Sequence, residues 1–210
     1  MEDVLDLYEE PYDAKRPVVC FDERSCQLLE HMVEPMAMKP GSVGKEDYHY
    51  KRKGTANVLM ACEPLAGTRM TQTTQQRTAQ DYASFMKHLA ESYPEAEVIR
   101  LVQDNLNTHT PGSFYETFDA PTARELAKRF ENHYTPKKAS WLNMAEIELS
   151  VLGKQCLDRR IGNQQLLARE VHYWEKQRNK EKVKIRWRFT KDDARKKMKR
   201  HYDTMLDYVD

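Results

Sequence analysis

Several features are missing from this 210-residue chain, and each absence removes a class of protein. No apolar run approaches the ~20 residues of a membrane-spanning helix, and the sequence begins with no signal-peptide pattern. The four cysteines form no C-x-x-C pair, and the seven histidines have no zinc-type spacing with them. This argues against a disulfide framework and a zinc site. We therefore expect a cytoplasmic globular protein with reduced cysteines and no membrane partner.

Net charge is also almost absent, at +1 for the whole chain, but the charges are unevenly distributed. The first thirteen residues contain six acidic residues and no Lys or Arg. Residues 176–200 contain thirteen Lys or Arg against three Asp or Glu. A basic end on an acidic body favours a polyanionic partner, although a solvated charged helix gives the same pattern.

The order of apolar patterns predicts an α/β protein with a mixed sheet. Short apolar or alternating runs predict strands, and apolar residues at helical spacing predict helices. Residues 1–16 are expected to be a linker, and residues 183–189 alternate in polarity. Strands are expected at 18–21, 56–62, 68–74, 98–102 and 132–134, and helices at 25–31, 79–92, 121–130, 142–157, 164–180 and 192–202.

Three carboxylates stand at unusual positions in this pattern. Asp22 and Asp104 each follow an apolar strand, and functional groups gather at strand ends in α/β sheets. Glu146 falls on the apolar stripe of its helix, at about 40° from Leu142. A carboxylate on a core-facing stripe is costly unless something pairs with it. A metal ion would provide such a partner.

Three acidic groups from distant segments suit a two-metal site for phosphodiester chemistry. Mg²⁺ prefers carboxylate oxygens, and two ions about 4 Å apart can clamp the attacking and leaving oxygens of a displacement. Each residue also has a simpler explanation. An Asp after a strand often serves only a turn, and Glu146 could pair with Arg159 or Arg160.

Three segments resemble the signature blocks of DDE transposases, and most closely those of the bacterial insertion-sequence branch of the mariner superfamily. They are VCFDE at 19–23, LVQDNLNTH at 101–109 and SWLNMAE at 140–146. The resemblance extends over about residues 16–200. It implies an RNase H-like fold with a mixed five-stranded sheet flanked by helices, and a Mg²⁺-dependent endonuclease that cleaves DNA and transfers strands in transposition.

The resemblance also implies roles for individual residues. Asp22, Asp104 and Glu146 would be catalytic and would hold two Mg²⁺ ions, for which Mn²⁺ can substitute. Asp22 would bridge both ions, Asp104 would bind one and Glu146 the other. Residues 17–175 would form the catalytic domain, followed by a basic C-terminal segment at 176–210.

Other polar residues match supporting positions of the family. Asn105, His109 and Asn143 would orient the carboxylates or the DNA, although His109 could equally make a simple loop hydrogen bond. Double-stranded DNA, both element ends and target, is the expected partner. The residues expected to contact it are Lys184, Arg186, Arg188, Arg195, Lys196, Lys197, Lys199 and Arg200.

The chain departs from the family pattern in two ways. The interval between Asp104 and Glu146 holds 41 residues, which is longer than usual and could reflect an extra loop and helix. The helix-turn-helix region that the family carries before the catalytic domain is expected to be absent, since only 21 residues precede Asp22. The chain could be a fragment, a second reading frame joined by frameshifting, or a decayed copy. A homodimer and a separate N-terminal DNA-binding part are further expectations.

Two other functions compete with the transposase hypothesis. One is another RNase H-like nuclease, such as a structure-specific resolvase, and the block at 140–146 argues against it. The other is an incomplete or inactive remnant that binds DNA non-specifically but no longer cuts it. The three intact carboxylates argue against decay of the site.

Overall fold

The structure is a computed structural model that describes residues 1–137 and 139–199. It contains five strands, seven α-helices and a short 3₁₀ turn within that part of the chain. In order they are α1 (Glu2–Glu9), β1 (Val18–His31), β2 (Tyr50–Glu63), β3 (Thr68–Thr74), α2 (Ala79–Glu91), β4 (Ile99–Gln103), α3 (Gly112–Thr117), α4 (Ala120–Lys128), β5 (Phe130–Tyr134), the 3₁₀ turn (Ser140–Leu142), α5 (Met144–Gln155), α6 (Gln164–Glu181) and α7 (Lys191–Lys197).

The strands form one mixed sheet in the order β3-β2-β1-β4-β5. The first three strands are consecutive antiparallel neighbours, β1 with β2 and β2 with β3. The other two pair in parallel, β4 with β1 and β5 with β4. This confirms the α/β class and the mixed five-stranded sheet of the RNase H-like fold.

Helices cover both faces of the sheet. Helices α2, α3 and α4 pack on one face in a core that contains Phe21 and Leu101. Helices α5 and α6 pack on the other face, together with Met60 of β2. Alternation along β1 sends Cys20 to a cluster with Ala145 of α5. The same alternation directs the side chain two residues beyond Cys20 towards the start of α5.

The short helix predicted at 25–31 is wrong, because these residues continue strand β1. They pair with β2 as far as His31 opposite Tyr50, with one bulge between Gln27 and Leu29. Pairing with a long neighbouring strand overrides the weak local helical pattern. Strand β1 therefore extends well past Asp22 instead of ending there.

The acidic segment 1–16, expected to be a linker, contains helix α1 in its first half. Val4, Leu5 and Leu7 of this helix are buried, while its acidic residues mostly face outwards. The hydroxyl of Tyr8 donates a hydrogen bond to the carbonyl of Leu142, at 2.8 Å. The acidic composition concealed this amphipathic helix, because three buried apolar residues are enough to anchor a helix of two turns.

The alternating segment 183–189 is extended but joins no strand of the sheet. Ile185 is buried and its N–H donates to the carbonyl of Pro64, at 3.1 Å. Its neighbours Lys184 and Arg186 are exposed. The alternation therefore reflects a chain that lies on the protein surface with its basic side chains outwards. Helix α7 is shorter than the predicted 192–202, and positions from 200 onwards lie outside the described residues.

Within residues 1–137 and 139–199, no helix has the length and apolar character needed to cross a membrane.

The turn between β2 and β3 leaves no room for a side chain at Gly67. Its φ is +75°, and a Cβ on it would lie 2.5 Å from the carbonyl oxygen of Lys182. We expect Gly67→Ala to lower the free energy of unfolding by about 2–4 kcal/mol, from left-handed strain plus displaced backbone. Gly41→Ala is the matched control, since Gly41 has φ +80° but nothing within 4 Å. Urea denaturation should show a smaller loss for the control, and equal losses would contradict the steric argument.

Candidate active site

The parallel pairing of β1 with β4 brings two aspartates to one place. Cys20 of β1 is the register partner of Val102 of β4. Asp22 and Asp104 each lie two residues further along, and side chains two residues apart share a face. Because neighbouring strands are about 4.8 Å apart, the backbones of Asp22 and Asp104 are expected to lie close together, and the Asp104 carboxylate bonds to His109.

Helix α5 adds Glu146 to this place. The side chain of Asn143 caps the helix by accepting from the N–H of Ala145, at 3.1 Å, and donates to the carbonyl of Phe21, at 2.7 Å. The start of α5 is thereby fixed to the residue that precedes Asp22. Glu146 lies in the first turn, where the helix dipole favours a negative charge.

The pKa of Asp22 is affected by burial and by the neighbouring carboxylates. Burial raises the pKa of Asp22 to about 6. The N–H of Glu23 opposes this rise by donating to Asp22, at 2.7 Å, while the negative charges of Asp104, Glu146 and Glu23 contribute to the rise in the pKa. The carboxylates of Asp104, Glu146 and Glu23 therefore disfavour ionisation of Asp22.

His109 holds Asp104 in place. It is buried, its Nδ1 lies 2.5 Å from a carboxylate oxygen of Asp104 and its Nε2 lies 2.9 Å from one of Glu23. Burial alone would lower the pKa of His109, but the two carboxylate hydrogen bonds raise it to about 9. The ring is therefore an imidazolium at neutral pH. It supports Asp104 directly, which goes beyond the simple loop hydrogen bond considered from sequence.

The helical-stripe argument for Glu146 is wrong, although the helix places this residue near the aspartates. Glu146 is half-buried, whereas Glu148 is the glutamate that lies in the core. Glu148 accepts two hydrogen bonds from Arg69, at 2.9 and 2.8 Å, and one from Arg178, at 2.7 Å. Arginines from β3 and α6 thus neutralise the core carboxylate. The alternative partners Arg159 and Arg160 bind elsewhere, at Glu170 and Glu46.

Other polar residues take different places around the cluster. Asn105 is exposed in the loop after β4. Sequence reasoning missed Gln103, which is fully buried. Its amide oxygen accepts a hydrogen bond from the hydroxyl of Tyr82, at 3.0 Å, and its amide nitrogen donates one to the carbonyl of His109, at 3.2 Å. Sequence reasoning also missed Glu23, the second partner of His109. Gln103 directly precedes Asp104 and Glu23 directly follows Asp22, and this adjacency is the feature of the sequence that could have identified them.

The predicted DNA-contacting residues lie on the surface of the C-terminal segment. Arg195 is exposed but engaged with Glu2 through two hydrogen bonds, at 2.8 and 2.7 Å. Arg200 lies outside the described residues. The remaining basic residues are exposed, and they are Lys184, Arg186, Arg188, Lys196, Lys197 and Lys199.

The carboxylates suit a hard divalent cation in chemistry and in charge. No group of three or more His, Cys, Asp or Glu within 1–137 and 139–199 is already arranged around a metal position. Asp104 is turned to His109, and a rotation of its carboxylate would be needed. Burial and, to a lesser extent, the neighbouring carboxylate charges raise the pKa of Asp22, and a divalent cation would neutralise those charges. The residues therefore fit metal binding.

Comparison with known proteins agrees with this architecture. None of the curated proteins compared with the chain matches it. The crystal structure of the Mos1 mariner paired end complex with Mn aligns with a TM-score of 0.56 and 14% identity, over 86% of this chain and 55% of that chain. A pre-cleavage Mos1 transpososome aligns with a TM-score of 0.56 and 12% identity, over 86% and 58%. This chain thus spans little more than half of the Mos1 chains, and the likeness establishes the fold.

The family is established by sequence. The model of the DDE superfamily endonuclease family matches residues 17–168, which is most of the chain and includes both aspartates and Glu146. The chain therefore belongs to the DDE superfamily endonuclease family.

Proposed function

We propose that this protein is the catalytic part of a DNA transposase of the insertion-sequence type, with Asp22, Asp104 and Glu146 as its catalytic and metal-binding residues. The observation that carries the proposal is the register of β1 and β4. It supports a common location for Asp22 and Asp104, because each lies two residues beyond the paired residues Cys20 and Val102. Membership of the DDE superfamily endonuclease family favours phosphodiester cleavage as the chemistry of these carboxylates.

The three carboxylates would hold two Mg²⁺ ions, or Mn²⁺ in their place. Ions bound there would activate water or a DNA 3′-hydroxyl as the nucleophile and stabilise the leaving oxygen. The protein's own task is positioning. His109 orients Asp104, and Asn143 fixes the helix that carries Glu146. Both residues act through the carboxylates, and both would keep the site organised as phosphate enters.

The function is tested by nicking of supercoiled plasmid DNA. We expect the purified chain to nick it with Mg²⁺ or Mn²⁺ and not with EDTA, and Asp104→Asn to lose the activity because one metal ligand is removed. Lys87→Gln, at an exposed position of α2, is the control for losses during purification and for contaminating nucleases. Nicking that survives Asp104→Asn unchanged would overturn the proposal.

Metal binding should also be visible as stability. A ligand that binds only the folded protein stabilises it, and each ~1 kcal/mol corresponds to about 2–4 °C for a chain of this size. We expect 10 mM Mg²⁺ to raise the melting temperature by about 2–4 °C. Asp22→Asn should melt higher than wild type without metal, since repulsion is relieved, and should not respond to Mg²⁺. An identical Mg²⁺ response in both proteins would contradict binding at this site.

The partners follow from the same proposal. Double-stranded DNA would bind along the exposed basic row of 184, 186 and 188, mainly through phosphates, so affinity should depend steeply on salt and little on sequence. We further propose that recognition of element ends needs a separate N-terminal DNA-binding part, and that the catalytic unit works as a homodimer. Mos1 was crystallised as a paired end complex, and its chain is longer than this one.

A further inference from the structure

Arg24 lies two residues beyond Asp22 on β1, between two cysteines that contact α5. Cys20 packs in a cluster with Ala145, near the start of α5. Cys26 packs against a cluster that contains later residues of the same helix. Because alternate side chains of a strand share a face, Asp22 and Arg24 stand between these two cysteines in one row. Helix α5 therefore follows this row of β1 in the direction of the strand.

The guanidinium of Arg24 is held against α5. Its Nη1 donates a hydrogen bond to the carbonyl of Leu149, at 3.1 Å. It also lies over Gly153, where a Cβ would overlap Nη1 and come within 3.1 Å of Cζ. Leu149 and Gly153 are three and seven residues after Glu146, a spacing that puts all three on one side of the helix. The cation is therefore fixed one to two turns along α5 from Glu146.

The positive charge of Arg24 is available to a ligand. The side chain is exposed and lines a cavity of about 130 Å³ together with Arg159. Within residues 1–137 and 139–199, no carboxylate forms an ion pair with it. A guanidinium has five N–H donors, so one that is held through a single N–H keeps the others for an anion. Its contacts with α5 set the direction in which those donors point.

The spacing along β1 suits a DNA strand. Two residues of a strand span about 6.6 Å, so Arg24 leaves the backbone that far from Asp22. Successive phosphates of one DNA strand rise by about 3.4 Å along the helix axis. A strand with one phosphate at the carboxylates would therefore bring a neighbouring phosphate within reach of this guanidinium.

We propose that Arg24 binds a DNA phosphate beside the one that is cut, and that Gly153 provides the space in which its guanidinium is held. The inference rests on the proposed function, since it supposes DNA at the carboxylates. Guanidinium binds phosphate through parallel hydrogen bonds, which fix direction as well as distance. Phosphates carry no sequence information, so this contact positions the strand for cleavage whatever its sequence.

The test is the kinetics of plasmid nicking with Mg²⁺ at several salt concentrations. We expect Arg24→Gln to raise KM for the plasmid about tenfold with kcat nearly unchanged, because the phosphate contact is made equally before and during reaction. The plot of log kcat/KM against log salt concentration should become shallower by about 0.9, the share of one phosphate. A residue that only ties α5 to β1 would instead lower kcat by shifting Glu146 and would leave this slope unchanged. That outcome overturns the inference.

Gly153→Ala tests the position of the cation without removing its charge. The added methyl group displaces the guanidinium, while alanine favours a helix over glycine, so the fold should not be weakened. We expect KM to rise by a smaller factor than in Arg24→Gln. A wild-type KM would overturn the inference. Arg24→Lys keeps the charge but not the paired donors, so it should retain the salt slope with an intermediate KM.

Arg124→Gln is the matched control, because Arg124 is exposed on α4, which packs on the other face of the sheet. It should nick with the wild-type KM and salt slope. Equal changes in Arg124→Gln and Arg24→Gln would overturn the inference, since any surface arginine would then have the same effect. Wild-type kinetics in Arg24→Gln would overturn it too and leave the proposed function standing. A wild-type protein that does not nick DNA overturns both.

Discussion

Glu146→Gln is expected to slow metal-dependent DNA cleavage by about a thousandfold, because a carboxylate that holds a catalytic metal contributes several kcal/mol to transition-state stabilisation. The fold should be little changed, because Glu146 is only half-buried in the first turn of α5. Within residues 1–137 and 139–199, its side chain is not part of the hydrogen bonds that hold the core. The measurement is the rate of plasmid nicking at saturating Mg²⁺ or Mn²⁺.

Glu148→Gln is the matched control for this experiment. The two glutamates are two residues apart on one helix, and about 200° of rotation separates them. Glu148 points into the core towards Arg69, away from the aspartates. Its variant should cleave at nearly the wild-type rate per folded molecule, with the folded fraction taken from circular dichroism at the assay temperature. The assignment of Glu146 does not survive an equal loss in both variants.

Arg69→Met is expected to cost about 3–5 kcal/mol of folding free energy, the second large effect. Arg69 and Glu148 are 1% and 2% exposed and form a bidentate ion pair that joins β3 to α5. Removing the arginine leaves a buried carboxylate with Arg178 as its remaining cation. Urea denaturation monitored by circular dichroism measures the loss.

The control for this prediction is an ion pair at the surface. Arg159 pairs with Glu170 but is 55% exposed, so Arg159→Met should change stability by no more than about 1 kcal/mol. The double variant Arg69→Met, Glu148→Leu should recover part of the loss, because the fully buried carboxylate is removed and only Arg178, whose side chain is 13% exposed, loses its partner. Equally small losses of folding free energy in Arg69→Met and Arg159→Met would contradict a larger contribution from the buried ion pair.

The sheet and the place of the aspartates could be read from sequence because they depend on short-range patterns. The apolar run 98–102 and the alternation around Cys20 mark strands wherever they are buried, and an acidic residue at the end of such a run is visible without knowing its neighbours. The five-stranded mixed sheet is confirmed. Helix α1 was missed because its three buried apolar residues lie within a strongly acidic segment.

The surroundings of the carboxylates depend on contacts that no local pattern contains. His109 meets Glu23 across 86 positions of the chain, and Arg69 meets Glu148 across 79. A helical wheel placed Glu146 and Glu148 near the same stripe, and only the partners that β3 and α6 supply decide which one is buried. The buried carboxylate that needs a partner is therefore Glu148, not Glu146 as the sequence pattern had suggested. Arg69 and Arg178 are the partners that make its burial possible.

The hydrogen bond from Asn143 to Phe21 also has a consequence for folding kinetics. It spans 122 positions, so the chain must close a very long loop, and bear its entropy, before α5 can settle on β1. The hairpins of β1, β2 and β3 can form early from local contacts. Glu146 can therefore take its place on the sheet only after the chain has been synthesised as far as α5, more than a hundred residues after Asp22.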